Sequence, residues 1–314
     1  MKFIRLILAT SLGLFLPLLA MAQVGSNQPV SIIVPYGPGG VVDAVNRVVA
    51  KRLAEVLGQP VLVVNRPGAD SNIGPTVVLQ SAADGKTLLA SASYFTANPL
   101  IEDKLHWDPT QFVPVARIGA APNVLVVPQT SGANTVAEFV ALAKASPELP
   151  VSDPGRGSPQ RIAMNILERD AGIKVTYIQY KGGSSYVPDL MAGRLSAGFM
   201  PLNVVAGLVK SGGMKALAIT SKERSVLLPN VPTLAESGYP EAGVNSWQGF
   251  HVLAGTPADV IRRLEVALGK VAADAGVRES LAALGVRVEF MNADAFTTFL
   301  REDRNQMLKL LKSK

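Results

Sequence analysis

The residues best placed to do chemistry in this chain are ones that lack side chains. Tyr36-Gly37-Pro38-Gly39-Gly40 stands between a short β-branched run, Ile32-Ile33-Val34, and a stretch with apolar residues at 41, 42, 45, 48, 49, 53, 56 and 57. The run predicts a buried strand and the spacing a helix that Gly58 ends. A strand feeding a bare turn into a helix leaves backbone N–H groups free at the positive end of the helix dipole, and such ends bind anions. The pattern returns once. Lys174 to Tyr180 reads as a strand, Lys181-Gly182-Gly183 as a glycine turn, and Val187 to Met191 as a helix start. Two such turns suit one carboxylate held between them. Asp43, in the first helical turn, would repel an anion, so its expected role is to fix helix and loop by hydrogen bonds.

Other chemistries lack their residues. A dinucleotide fingerprint needs Gly or Ala where Val42 stands, and an acid where the second strand ends in Asn65. No G-x-S-x-G elbow is present, and His106 and His251 lack metal-ligand spacing. No cofactor and no metal are therefore expected. The alternatives to a binding protein are a secreted hydrolase or isomerase on a two-lobed scaffold, and a ligand-presenting sensor subunit.

The elements that must position the turns begin after a leader. Lys2 and Arg5 precede the apolar run Leu6 to Ala20, and Ala20-Met21-Ala22 fits small-x-small cleavage, so residues 1–22 read as a signal peptide. The rest of the 314 residues is enough for two domains. The chain is 48% hydrophobic and 17% charged with no cysteine, the balance of an exported globular protein that relies on core packing. Loss of Lys2 and Arg5 trims the net charge of +6 by two. That mild surplus, without a basic-aromatic cluster, suits an anionic small ligand and not nucleic acid.

From the first strand the chain alternates strand and helix, which predicts an open, mostly parallel sheet. Its strand-end loops carry Ala69 and Asn72, then Ser91, Ser93 and Tyr94; such ends are where ligands bind. A second unit starts at the apolar strand Asn123 to Val127. Within it, Thr135 opens a helix, Arg156-Gly157-Ser158 forms a loop before another, and Thr233 to Glu236 spells a further capping box. Arg156 could offer its guanidinium to a second acidic group of the ligand. Val244 to Leu253 reads as the return crossing, and Asn292 as the cap of the last helix.

Val34-Pro35-Tyr36-Gly37-Pro38-Gly39-Gly40 through Asp43 resembles the first signature of the Bug family, the TctC-like substrate-binding proteins of tripartite tricarboxylate transporters. Gln59 to Ala69 with Asn72-Ile73-Gly74 is similar to the second. Asp84 to Leu89, Gly155 to Ser158, Tyr180 to Gly183, Leu217 to Ser221, Pro229 to Thr233 and Ala254 to Pro257 follow in family order. The resemblance implies an α/β, two-lobed periplasmic-binding-protein (type II, Venus-flytrap) fold. It places lobe 1 at 23–124 plus 246–314 and lobe 2 at 125–245. It implies a monomeric periplasmic receptor that closes on a small carboxylate or dicarboxylate and hands it to TctA/TctB-like membrane subunits. The ligand-binding residues it implies are Tyr36, Gly37, Pro38, Gly39, Gly40, Ala69, Asn72, Ser91, Ser93, Tyr94, Arg156, Gly157, Ser158, Tyr180, Lys181, Gly182, Gly183 and Met200. Arg161 replaces a usual histidine, Ser196 and Met200 replace usual acids, and Gln248 replaces a common aromatic.

Overall fold

The computed structural model describes residues 28–180 and 185–312. The expected signal peptide and Lys181-Gly182-Gly183 lie outside the described residues. The chain runs β1 (Val30–Val34), α1 (Val41–Leu57), β2 (Val61–Asn65), α2 (Ile73–Leu79), β3 (Thr87–Ser91), α3 (Tyr94–Ile101) and β4 (Phe112–Ala121). It continues with β5 (Asn123–Pro128), α4 (Val136–Ala145), β6 (Pro150–Asp153), α5 (Pro159–Ala171), β7 (Thr176–Gln179), α6 (Val187–Met191), β8 (Gly198–Pro201), α7 (Leu202–Lys210) and β9 (Met214–Ile219). It ends with β10 (Ser246–Leu253), α8 (Ala258–Ala273), α9 (Ala275–Ala283), β11 (Arg287–Met291) and α10 (Ala293–Lys312).

Two lobes result. The first holds a six-stranded sheet ordered β11-β4-β10-β3-β1-β2; the second holds β8-β5-β9 and the pair β6-β7, joined by a parallel bridge between Val151 and Ala197. The expectation of mostly parallel sheets needs correction. The β2-β1-β3 block is parallel, but β10 runs antiparallel to β3 and β4, β11 antiparallel to β4, and β5 antiparallel to β8 and β9. The reason is topological. For β4 and β10, the chain crosses between lobes along extended β4–β5 and returns along β10, so the two run in opposite directions.

Local sequence explains most elements. The alternate residues Ile32 and Val34 of β1 are fully buried, and α1 buries Val41, Val42, Val45, Val49 and Leu53 on one stripe. Gly58 ends α1 at φ 66°, a left-handed conformation that glycine adopts at little cost. Asn292 accepts the Ala295 N–H at 3.0 Å and caps α10 as its position predicts. The Thr233–Glu236 capping box forms its reciprocal bonds, yet only a turn follows, because Gly238 at φ 90° and Pro240 stop it.

The crossings are tied together. The Asn123 N–H donates to Thr220 Oγ1 at 2.8 Å, and the Thr220 hydroxyl donates to Asn245 Oδ1 at 2.8 Å. Asn123 Nδ2 reaches the Val244 carbonyl at 3.3 Å and Ser246 Oγ at 3.4 Å. No described helix is long and apolar enough to cross a membrane.

Candidate functional site

A narrow cavity of about 30 Å³ sits between the lobes. Three helices reach it with their N-terminal ends, and the turn ahead of a fourth joins them. Gly40, Val41 and Val42 bring α1, Ala92 lies two residues ahead of α3, Pro159 and Gln160 begin α5, and Pro201 precedes α7. Tyr36, Pro154 and Ser246 complete the wall, and no lining residue is charged. Each helix end carries roughly half a positive charge. The volume has room for roughly two water-sized groups, as the two oxygens of a carboxylate require.

The α1 end is open to a guest. No side chain caps it, and a Cβ built on Gly40 would meet nothing within 4 Å. Asp43 holds the turn in place. Its carboxylate accepts the Gly39 N–H at 3.0 Å, Arg47 Nε at 3.0 Å and Asn65 Nδ2 at 2.9 Å, while the same Asn65 amide donates to the Tyr36 carbonyl at 3.0 Å. Burial alone would raise the Asp43 pKa, but the bonds from Arg47, Gly39 and Asn65 outweigh it and hold the carboxylate below its ordinary value. Burial pushes the Tyr36 phenol far above its usual range, offset only in part by Ser71, so its hydroxyl stays neutral.

A wider cavity of about 300 Å³ shares Tyr36 and Pro154 with the narrow one. Ala69, Asp70 and Ser71 line it from lobe 1, and Gln179 and Tyr180 from lobe 2. Ala69, Asp70 and Ser71 have φ of 45°, 52° and 74°, three consecutive left-handed residues without a glycine. Such backbone costs about 1–3 kcal/mol per residue and persists only where its surroundings fix it. Here Asn98 Nδ2 donates to the Asp70 carbonyl at 2.8 Å.

The expected site residues divide. Tyr36 and Gly40 line the narrow cavity, and Tyr36, Ala69 and Tyr180 the wide one. Gly37 is half-buried and Pro38 and Gly39 are exposed on the outer side of the turn; the Gly39 N–H is spent on Asp43 and not on a guest. Ser158 accepts the Arg161 N–H at 3.1 Å as the cap of α5. Ser91 and Ser93 are buried on either side of Ala92; Ser91 Oγ has no partner, and Ser93 makes no side-chain cap bond.

Four of the expected residues are taken up by contacts within the protein. Met200 is fully buried in the lobe 2 core, because its place on β8 faces Val124 and Ile219 and not the cleft. Tyr94 is buried beside Phe95 and Trp107, with its hydroxyl donated to the Ala90 carbonyl at 3.1 Å. Asn72 spends its side-chain oxygen on Asn98 Nδ2 at 2.8 Å and Trp107 Nε1 at 2.9 Å. Arg156 pairs with Glu102 and Asp70 of the opposite lobe. Gly157 packs against Asn98 and Tyr94.

Of the replaced family positions, Arg161 pairs with Asp153 and lies 3.1 Å over the Tyr177 ring, while buried Gln248 donates to the Ser246 carbonyl at 3.2 Å. The sequence reading missed Pro159, Gln160, Pro201 and Ser246. The Ser158-Pro159 pair is a helix-start signal that could have found the first two. Among the described residues no group of three or more His, Cys, Asp or Glu could hold a metal.

Comparison with known proteins decides the family. Residues 45–314 match the family model described as tripartite tricarboxylate transporter family receptor. The chain belongs to this family. It is 34% identical over 283 residues to protein BugT of Bordetella pertussis, covering 88% of this chain and 86% of that one. Among solved structures it is similar to the periplasmic binding protein BugD, with a TM-score of 0.86, 27% identity, and 91% and 97% of the two chains covered. It is equally similar to Rpa4515 of R. palustris with adipate, at a TM-score of 0.86 and 27% identity over 90% and 96% of the chains. The family and the two-lobed fold implied by the motifs are borne out.

Proposed function

We propose that this protein is a periplasmic receptor that captures a small organic acid between its lobes, with one carboxylate seated on the converging helix ends. The observation that carries the reading is that the N-terminal ends of α1, α5 and α7 and the turn ahead of α3 meet at one uncharged cavity. An anion there is stabilised by dipoles and N–H groups already in place, while a neutral guest gains little. The wide cavity takes the rest of the molecule. Adipate in the related R. palustris protein supports a dicarboxylate of that size.

The reading assigns lobe 1 to 23–124 plus 246–314 and lobe 2 to 125–245, hinged at the tied crossings. It makes the protein an exported monomer that serves TctA/TctB-like membrane subunits and performs no catalysis. Identification of small molecules released from gently purified protein, followed by thermal-shift titration, tests it. Adipate and malate should raise the melting temperature and hexane-1,6-diol should not. An equal shift by the diol, or turnover of either acid by pure protein, would overturn the reading.

A further inference from the structure

We infer that Arg156 is a positioning residue that holds the lobes together, acting on affinity through closure and not by touching the ligand. This rests on the reading above that the lobes close on a guest. Arg156 Nη2 donates to Glu102 Oε2 at 3.3 Å, and its Nε lies 3.8 Å from Asp70 Oδ2. Both acids belong to lobe 1, at the end of α3 and on the left-handed turn. Gln179 Nε2, also in lobe 2, donates to Asp70 Oδ1 at 3.0 Å. The guanidinium that the sequence offers to a second ligand carboxylate is thus already committed to two protein carboxylates across the cleft, and Arg156 lines neither cavity.

Gly157 completes the contact. A Cβ there would lie 1.8 Å from Asn98 Oδ1 and 3.3 Å from Tyr94 Cα, and the three nearest atoms all belong to lobe 1. The Asn98 amide cannot swing away freely, because its Nδ2 is held by the Asp70 carbonyl and Asn72 Oδ1, each at 2.8 Å. Asn98 therefore does two things. It fixes the strained turn that presents Asp70, and it forms the surface on which Gly157 lands. Closure at this seam needs a bare α-carbon at 157 and a cation at 156, and neither requirement involves a ligand atom.

Pairs this exposed each contribute little, but they act directly on the balance between open and closed states, and a ligand's apparent affinity scales with the fraction able to bind. Replacing Arg156 should weaken any ligand about three- to tenfold, whatever its second group. Because the chain has no cysteine, Lys51→Cys with Lys144→Cys, both exposed and one in each lobe, gives a uniquely labelled pair for electron–electron distance measurement.

Without ligand, Arg156→Gln and Gly157→Ala should shift that distance distribution to longer values. Arg156→Lys should retain most of the short population. Arg224→Gln, which breaks an exposed pair with Glu236 inside lobe 2, should leave it unchanged. Titration with adipate and hexanoate should show Arg156→Gln weakening both by the same factor. Unchanged distances in both seam variants, or a loss confined to adipate, would overturn the inference. If neither acid binds wild type, the carboxylate reading fails while the ligand-free distances still decide the role of Arg156.

Discussion

Gln160 Nε2 donates to Asn123 Oδ1 at 2.8 Å, both side chains buried, and thereby ties the first turn of α5 to the crossing between the lobes. Gln160 also lines the narrow cavity. One side chain therefore touches both the proposed carboxylate seat and the hinge. Gln160→Met keeps the length of the side chain and leaves the Asn123 oxygen buried without its donor, a loss of about 1–3 kcal/mol. Urea unfolding should report that loss, and adipate affinity should fall with it. Wild-type stability in the variant would show that the bond carries no weight at the hinge.

Gly40 gives a cleaner separation of folding from binding. A Cβ there meets nothing within 4 Å, and the residue sits at an ordinary extended conformation. Gly40→Val should therefore fold with near wild-type stability while its methyl groups occupy the seat. Calorimetric titration with adipate should show no binding by a protein whose melting temperature is unchanged. Full binding would place the carboxylate elsewhere.

How far the chain could be read follows from how local each signal is. The strand, glycine turn and helix from Val30 to Leu57 are contiguous, so their spacing alone marks the α1 end as the proposed anion seat. Asp43 is legible for the same reason, since its partners Gly39 and Arg47 lie four residues away on either side. Arg156 is not. Its partners stand 54 and 86 residues earlier in another lobe, and nothing near it in sequence separates a ligand contact from a lobe contact. Met200 and Tyr94 show a second limit. Both sit at element ends that face the cleft as a whole, but which way one side chain turns depends on pleat and register set by distant pairing. The antiparallel crossings were hidden likewise, because direction within a sheet is fixed by partners and not by local pattern.

Asp43→Asn tests whether the clip on the glycine turn matters more than its charge. The carboxylate receives donors from Gly39, Arg47 and Asn65. A carboxamide of the same shape must turn its NH2 toward either Asn65 or the Gly39 and Arg47 pair, so at least one donor loses its acceptor. Removing a negative charge near an anion seat would by itself tighten binding. We expect the loss of turn geometry to win, with stability down by about 1–3 kcal/mol and adipate affinity reduced. Tighter binding by a stable variant would mean that Asp43 acts on the ligand chiefly by repulsion.

His251 predicts how the protein responds to acid. Its ring is fully buried on β10, 4.2 Å from Phe95 and 5.2 Å from Phe296 between centroids, and neither ring nitrogen has a partner. Burial lowers its pKa from 6.5 to about 3. In the unfolded chain the ring takes a proton once pH falls below about 6.5, whereas the folded ring stays neutral down to about 3. The unfolded state therefore binds more protons in that window, and stability must fall as pH falls through it. The slope approaches about 1.4 kcal/mol per pH unit, or about 2 kcal/mol between pH 7 and 5. Asp43 and the other carboxylates held below their ordinary values titrate at lower pH, while burial raises the Asp303 carboxyl and opposes the trend; both contributions are common to wild type and a His251 variant and cancel in their comparison. His251→Met fills much of the same space without a titrating group. Urea unfolding at pH 7 and pH 5 should show wild type losing about 2 kcal/mol more than the variant. Parallel losses in the two proteins would mean that the ring finds a partner, or a proton, inside the fold.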